Sequence, residues 1–298
     1  MSAAKKIAVY GLGAMGGGMA RSCLRSGHTV YGRDVVEAQM QAFRDEGGAA
    51  GEMTVGNLDA ALIVVLNAAQ TESVLFGENA LVPGMRPGAV VIACATVAPE
   101  FARNMESRCA QHGVLYLDAP ISGGAAKAAS GQLSIMAAGT PDAFSAARPV
   151  LDAISETVFE LGDTAGPGSA MKSVNQLLAG VHIATMAEAL TFGMTQGVAP
   201  EQFVEVISKC AGSSWMLENR APHIVDGDYT PLSQINIWPK DLGIVLDIAK
   251  SAGFSAPITA AALQQYMVAV GLGLGREDDA AIAKVYARNA GLSLPGEE

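Results

Sequence analysis

The chain has 298 residues, enough for two domains with sizeable cores, and half of them are hydrophobic. A net charge of −10 and a pI near 4.9 exclude nucleic acid and anionic membrane surfaces as partners, because no basic surplus exists to neutralise phosphates. Cys23, Cys94, Cys109 and Cys210 are widely spaced and form no C-x-x-C or Cys/His pattern, which predicts reduced, mostly buried thiols, no metal site and a cytoplasmic location.

Lys5-Lys6 leads straight into Ile7-Ala8-Val9-Tyr10, so no signal peptide is expected and a buried strand is. The strand breaks into Gly11-Leu12-Gly13-Ala14-Met15-Gly16. A helix follows from Met19 to Ser26, closing at Gly27, then a strand from His28 to Tyr31, and Asp34 stands 23 residues beyond Gly11. Each part suits a dinucleotide. Gly11 allows the tight turn, Gly13 lets backbone approach a pyrophosphate, and Gly16 lets helix and strand pack closely. The helix N-terminus offers N–H groups and partial positive charge to phosphates, and Asp34 can accept from an adenosine ribose diol. A glycine-rich loop that merely turns has no need of the acid.

Helical stretches from Val35 to Glu46 and Pro99 to His112 alternate with apolar runs of strand length. Leu62 to Leu66, Ala89 to Ala93 and Val114 to Asp118 read as strands covered on both faces, and Ser134 to Ala138 and Val158 to Leu161 continue the series. The predicted fold class is α/β: a Rossmann-type doubly wound sheet, with ligands at the carboxyl ends of its strands.

Beyond Gly162-Asp-Thr-Ala-Gly-Pro-Gly168 the strand-like runs stop. Ser169 is a candidate cap for a long helix running to about Gln196, with further helices near 200–211, 239–252, 257–271 and 278–288. The expected domains are 1–163, binding the dinucleotide, and 164–298, all-helical, joined by a long interdomain helix. The most apolar stretch, Leu177 to Met194, contains His182 and Glu188 and reads as a buried helix, not a membrane span.

Lys172 falls in the expected first turn of the long helix, where the dipole disfavours a cation. Crowding by positive potential and partial burial would lower its pKa toward the range useful for acid–base catalysis. A solvated surface lysine is the competing reading. Asp118-Ala-Pro-Ile-Ser-Gly-Gly124 leaves a strand end with consecutive small residues, a suitable nest for a carboxylate, or else an ordinary turn. Trp238-Pro239-Lys240-Asp241-Leu242 and Gly212-Ser-Ser-Trp-Met216 stand at helix starts, and plain capping accounts for either. His28, His112, His182 and His223 lack partner acids at metal or triad spacing and are read as structural or surface groups.

Taken together these segments resemble the β-hydroxyacid dehydrogenases, the relatives of 3-hydroxyisobutyrate dehydrogenase and tartronate semialdehyde reductase. Four motifs occur in the family's order: Gly11 to Ala20, Asp118 to Gly124, Gly168 to Asn175, and Lys240 to Leu242. The segments 65–70, 176–183, 214–220 and 225–231 are most similar to the members that oxidise L-threonate. The resemblance implies that Lys172 is the catalytic acid/base, that Ser122, Gly123 and Gly124 hold the substrate carboxylate, and that Asn175 lies beside the reacting hydroxyl. It places NAD on Gly11, Leu12, Gly13, Ala14, Met15, Gly16, Asp34 and Asn67, with Thr96 and Lys240 near the nicotinamide. Asp34 is followed by Val35, not by the arginine of many NADP users, although Arg33 precedes it. Many members carry Asn-Asn where this chain has Asn175-Gln176, a longer amide able to reshape the pocket.

The expected activity is NAD-dependent oxidation of a small 2-hydroxy polyhydroxy acid, L-threonate, to its 2-oxo acid. Oxidation of 3-hydroxyisobutyrate or reduction of tartronate semialdehyde is the alternative within enzymes, and a catalytically inactive binding module the alternative outside them. The expected partners are the hydroxyacid substrate and further copies of the chain, as a homodimer or homotetramer.

Overall fold

In the computed structural model, which describes residues 4–297, the first half builds a parallel sheet in the order β2-β1-β3-β4-β5. The elements are β1 (Lys6–Tyr10), α1 (Ala14–Arg25), β2 (Thr29–Arg33), α2 (Glu37–Asp45), β3 (Ala60–Ile63), α3 (Ala68–Phe76), β4 (Val90–Ala93), α4 (Pro99–Ala110) and β5 (Leu115–Asp118). Every residue of β3 and β4 is buried, as continuous apolar runs require when helices cover both faces of a sheet. Alternate side chains serve two cores. Ile7, Val9, Leu62 and Ile92 join one, while Ala8, Ala61, Ile63 and Val91 join the other.

The next strands depart from the expected series. β6 (Ile121–Ser122), β7 (Leu133–Ala137) and β8 (Ser155–Glu160), with α5 (Gly124–Ser130) and α6 (Pro141–Ile154) between them, form a separate three-stranded sheet. β6 pairs antiparallel with β7, β7 parallel with β8, and an antiparallel bridge between Asp118 and Ala138 ties this sheet to β5. Apolar periodicity marks a strand but carries no direction. The direct connection from β5 into β6 is too short for the crossover that another parallel neighbour needs.

The chain forms two compact units, Met1–Lys172 and Ser173–Glu298. The division falls within α7 (Pro167–Thr195), whereas the glycine- and proline-rich stretch at 162–168 comes at the start of that helix. The second unit is helical: after α7 come α8 (Pro200–Ile207), α9 (Trp215–Asp226), α10 (Ile237–Ser251), α11 (Pro257–Gly271) and α12 (Ala283–Ala290). In its core the rings of Trp238 and Tyr266 stack at 5.7 Å, and Tyr266 donates its hydroxyl to the carbonyl of Gly180 at 2.8 Å. A β-carbon at Gly180 would lie 2.8 Å from the Trp238 ring, so this helix position must lack a side chain. α7 is also long and apolar enough to cross a membrane by length and composition, a description that core helices of soluble proteins share.

Two local expectations at the start of α7 are corrected. Ser169 is the third residue of the helix and not its cap, and Lys172 is the sixth residue, in the second turn. Pro167 sets the start instead, because its fixed φ suits the first helical position and its missing N–H needs no partner there.

Candidate active site

Parallel register brings five loops to one edge of the sheet. Tyr10 stands beside Arg33 and Ile63, Ile63 beside Ala93, and Ala93 beside Asp118, each at or near the carboxyl end of its strand. The segments that leave this edge hold Gly11–Gly16 after β1, Asp34 after β2, Asn67 after β3, Thr96 after β4 and Ser122–Gly124 after β5. All the sequence-predicted residues of the first unit except Lys172 are therefore placed by one topological fact.

At the first loop, Gly11 has φ +92° and a β-carbon there would lie 2.2 Å from the carbonyl oxygen of Val64. A β-carbon at Gly16 would lie 1.9 Å from the carbonyl oxygen of Gly11. Both positions exclude side chains for internal reasons. Gly13 differs: nothing lies within 4 Å of where its β-carbon would stand, so the open side of the loop is left for an approaching ligand. The Asp34 carboxylate accepts from the Leu12 N–H at 2.7 Å and from the Val36 N–H at 2.9 Å. Each of its oxygens keeps a lone pair suited to a ribose hydroxyl. These residues fit the adenosine half of a dinucleotide.

Asn67 has a structural duty. It caps α3, its side chain accepting from the Gln70 N–H at 2.9 Å, while Gln70 accepts in return from the Leu66 N–H at 2.9 Å. This reciprocal box uses the Asn67 oxygen and leaves the amide donors to act elsewhere. Thr96 is half-buried in the loop between β4 and α4.

Lys172 is only 8% exposed, and its Nζ donates to the carbonyl of Ile121 at 2.9 Å. That carbonyl immediately precedes Ser122, Gly123 (φ +132°) and Gly124 (φ +74°), two consecutive backbones in conformations that favour glycine. The structure thus sets the lysine against the small-residue turn, 50 positions away from Ser122 in the chain. The surface-lysine alternative does not describe this buried side chain.

Asp118 is the residue whose role sequence reasoning missed. One of its oxygens accepts from the N–H groups of Gly166 and Ser169 at 2.9 and 2.8 Å, and the other accepts from the Ser169 hydroxyl at 2.6 Å. Gly166 offers no capping side chain, so a carboxylate from β5 satisfies the N–H groups at the start of α7 and complements its dipole. A β-carbon at Gly168 would lie 2.5 Å from the Met136 carbonyl and 2.7 Å from that of Asp118. The helix start is clamped between β5 and β7, one turn before Lys172. Burial lifts the Asp118 carboxyl above its ordinary range, against the pull of the Ser169 and glycine bonds. The available signal was an acid at the end of an apolar strand.

In the helical unit, Asn175 and Lys240 are joined through two residues given no role by spacing. The Asn175 amide donates to the Gln176 side-chain oxygen at 2.9 Å, and the Gln176 amide donates to Asp241 at 2.5 Å. The other oxygen of Asp241 pairs with the Lys240 ammonium. Gln176 and Asp241 are both buried. Ser214, by contrast, is a plain cap, accepting from the Leu217 N–H at 3.1 Å. Pro239 is the third residue of α10. His28 bridges the Lys5 N–H and the Pro149 carbonyl at 3.2 and 3.1 Å, a structural duty.

Comparison with known proteins gives matches over both halves. Residues 6–162 match the NAD binding domain of 6-phosphogluconate dehydrogenase, and residues 166–286 match the NAD-binding model of NADP-dependent 3-hydroxyisobutyrate dehydrogenase. The chain is 49% identical to an L-threonate dehydrogenase of Cupriavidus necator, over 98% of this chain and 99% of the relative. It is 42% identical to an L-threonate dehydrogenase of Pectobacterium atrosepticum, over 97% of this chain and 95% of the relative. Among solved structures, a 3-hydroxyisobutyrate dehydrogenase from Salmonella typhimurium superposes with a TM-score of 0.88 at 41% identity, covering 94% of this chain and 99% of that one.

Proposed function

We propose that this chain, which belongs to the 3-hydroxyisobutyrate dehydrogenase-related family of NAD-dependent hydroxyacid dehydrogenases, oxidises the 2-hydroxyl of L-threonate to the 2-oxo acid. The observation that carries the chemistry is the buried Lys172 amine, anchored 2.9 Å from the Ile121 carbonyl beside the Ser122-Gly123-Gly124 turn. The choice of acid is supported by the relatives at 41–49% identity named for L-threonate.

In this reading the backbone N–H groups of Gly123 and Gly124 and the hydroxyl of Ser122 hold the substrate carboxylate, with Asn175 beside the reacting hydroxyl. NAD, when bound, supplies the hydride acceptor at its nicotinamide ring, with Thr96 and Lys240 near that end. Gly11 to Gly16 and Asp34 hold the opposite end, Asn67 lends its amide donors, and the Asp34 carboxylate disfavours the 2′-phosphate of NADP. Uncharged Lys172 takes the proton of the 2-hydroxyl as hydride leaves the same carbon. In the reverse direction it returns the proton to the developing alkoxide. The hydrogen bond to Ile121 fixes the amine so that its lone pair is aimed without a search through rotamers.

The enzyme works in the cytoplasm as a homo-oligomer. Exposed Leu178, Phe192, Ile258, Met267 and Val268 on the helices of the second unit support self-association, and light scattering tests it. For the reaction, NADH absorbance over a panel of C3–C4 hydroxy acids decides. L-threonate is expected to give the highest kcat/KM, and a higher value for 3-hydroxyisobutyrate or another 3-hydroxy acid overturns the choice. Absence of turnover on every member would leave a binding module.

A further inference from the structure

Gln176 and Asp241 have no part in the proton or hydride transfer described above, yet both are buried and bonded to each other. The polarity of the chain they form is forced. A carboxylate only accepts hydrogen bonds, and one Asp241 oxygen is paired with the Lys240 ammonium. The other, 2.5 Å from Gln176, must therefore face the amide nitrogen of that side chain. Its oxygen is then turned to Asn175 and accepts from the Asn175 amide nitrogen at 2.9 Å. Flipping Gln176 would set its oxygen against the carboxylate, and flipping Asn175 would set two carbonyl oxygens face to face. Asp241 thus fixes both amides, and the Asn175 oxygen is left as the acceptor on the side away from Gln176.

We propose that Gln176, oriented by Asp241, is a positioning residue that presents the Asn175 carbonyl oxygen to a substrate hydroxyl other than the one being oxidised. The inference rests on the reading of Asn175 as a substrate-binding group. One hydroxyl carries one proton, and Lys172 takes that of the reacting carbon. An acceptor held rigidly on Asn175 suits a second hydroxyl, such as the one on C3 of a polyhydroxy acid. A substrate with hydrogen or methyl at that place leaves the acceptor unmatched, and a site built to bond a hydroxyl rejects the analogue lacking it. This device selects polyhydroxy acids over deoxy acids of the same size.

The test measures kcat and KM for L-threonate and for the 2-hydroxybutyrate of the same C2 configuration, which lacks the 3- and 4-hydroxyls. The proteins are the full-length wild type, Gln176→Leu, Gln176→Asn, and the double variant Gln176→Asn with Asp241→Glu, which restores the summed length of the two side chains. Thermal unfolding monitors the fold. Gln176→Leu is expected to raise KM for L-threonate about tenfold with little change in kcat. The rise for 2-hydroxybutyrate should be markedly smaller, so that the preference falls. Gln176→Asn should weaken the preference in the same direction, and the double variant should recover part of it. Should Gln176→Leu not fold, the Gln176→Asn pair carries the same comparison. Equal losses on both substrates, or an unchanged preference in a folded variant, overturn the inference while the proposed reaction stands. A wild type that oxidises no hydroxy acid overturns both.

Discussion

Asp118 holds Ser169 with both of its carboxylate oxygens, one on the backbone N–H at 2.8 Å and one on the hydroxyl at 2.6 Å. The contact spans 51 residues of sequence and joins the end of β5 to the first turn of α7. Lys172 lies three residues further along that helix, so its position depends on an acid that does no chemistry itself.

Asp118→Ala should destabilise the protein by about 1–3 kcal/mol, because the Gly166 and Ser169 N–H groups and the Ser169 hydroxyl then lose their acceptor in a buried place. The loss should also depend on pH. The Asp118 carboxyl titrates above its ordinary range in the folded protein. The unfolded chain therefore releases this proton first. The group's favourable contribution is present at low pH and fades as pH rises from the ordinary carboxylate value through the raised one. The stability gap between wild type and variant should accordingly narrow with rising pH in urea titrations. A gap that widens contradicts the argument.

Lys172→Ala should lower kcat by roughly 10²–10⁴-fold, the usual worth of general acid–base help, while NAD binding followed by fluorescence persists. Lys172→Arg should not rescue it. A guanidinium can bond the Ile121 carbonyl but stays charged and cannot take the hydroxyl proton. Near-normal turnover in either variant would remove Lys172 from the mechanism.

Asp34→Ala should reduce kcat/KM for NAD by about tenfold to a hundredfold, the range for bonds to a charged acceptor. Part of this loss arises inside the protein, since the Leu12 N–H also loses its partner. Use of NADP should fall less or rise, because the repelling carboxylate is gone. Parallel kinetics with both cofactors measure this ratio, and an unchanged ratio counts against Asp34 as the selector.

Native-state alkylation should label one thiol. Cys210 is exposed, whereas Cys23, Cys94 and Cys109 are buried, and burial pushes the Cys23 and Cys109 thiols up to about 12. Iodoacetamide at neutral pH followed by mass spectrometry should find Cys210 modified and the others only after unfolding. Early labelling of Cys94 would mean that the core around β4 opens.

Much of the site was legible because its signals are local. The turn at Gly11–Gly16 needs a positive φ and missing side chains at fixed offsets, and the sequence states both. The apolar run Ala89 to Ala93 declared β4 as a buried strand, whereas the run Leu62 to Leu66 overlaps β3 only at Leu62 and Ile63 and continues into the loop beyond it; the helical second half announced itself by the loss of such runs. The capping bond of Asn67 follows from Gln70 three residues on, a pattern that the sequence carries locally.

By itself, then, the sequence determined the dinucleotide turn, the acid after β2, the change from α/β to helical character and the identity of the small-residue loop. Only the tertiary structure decided that β7 runs against β5, that Asp118 caps α7, that Lys172 reaches the Ile121 carbonyl, and that Gln176 ties Asn175 to Asp241. The division has one physical cause. Conformational preferences act over a few residues and leave a local trace. A hydrogen bond between side chains 51 or 65 positions apart depends on where the whole chain returns, and no short segment encodes that.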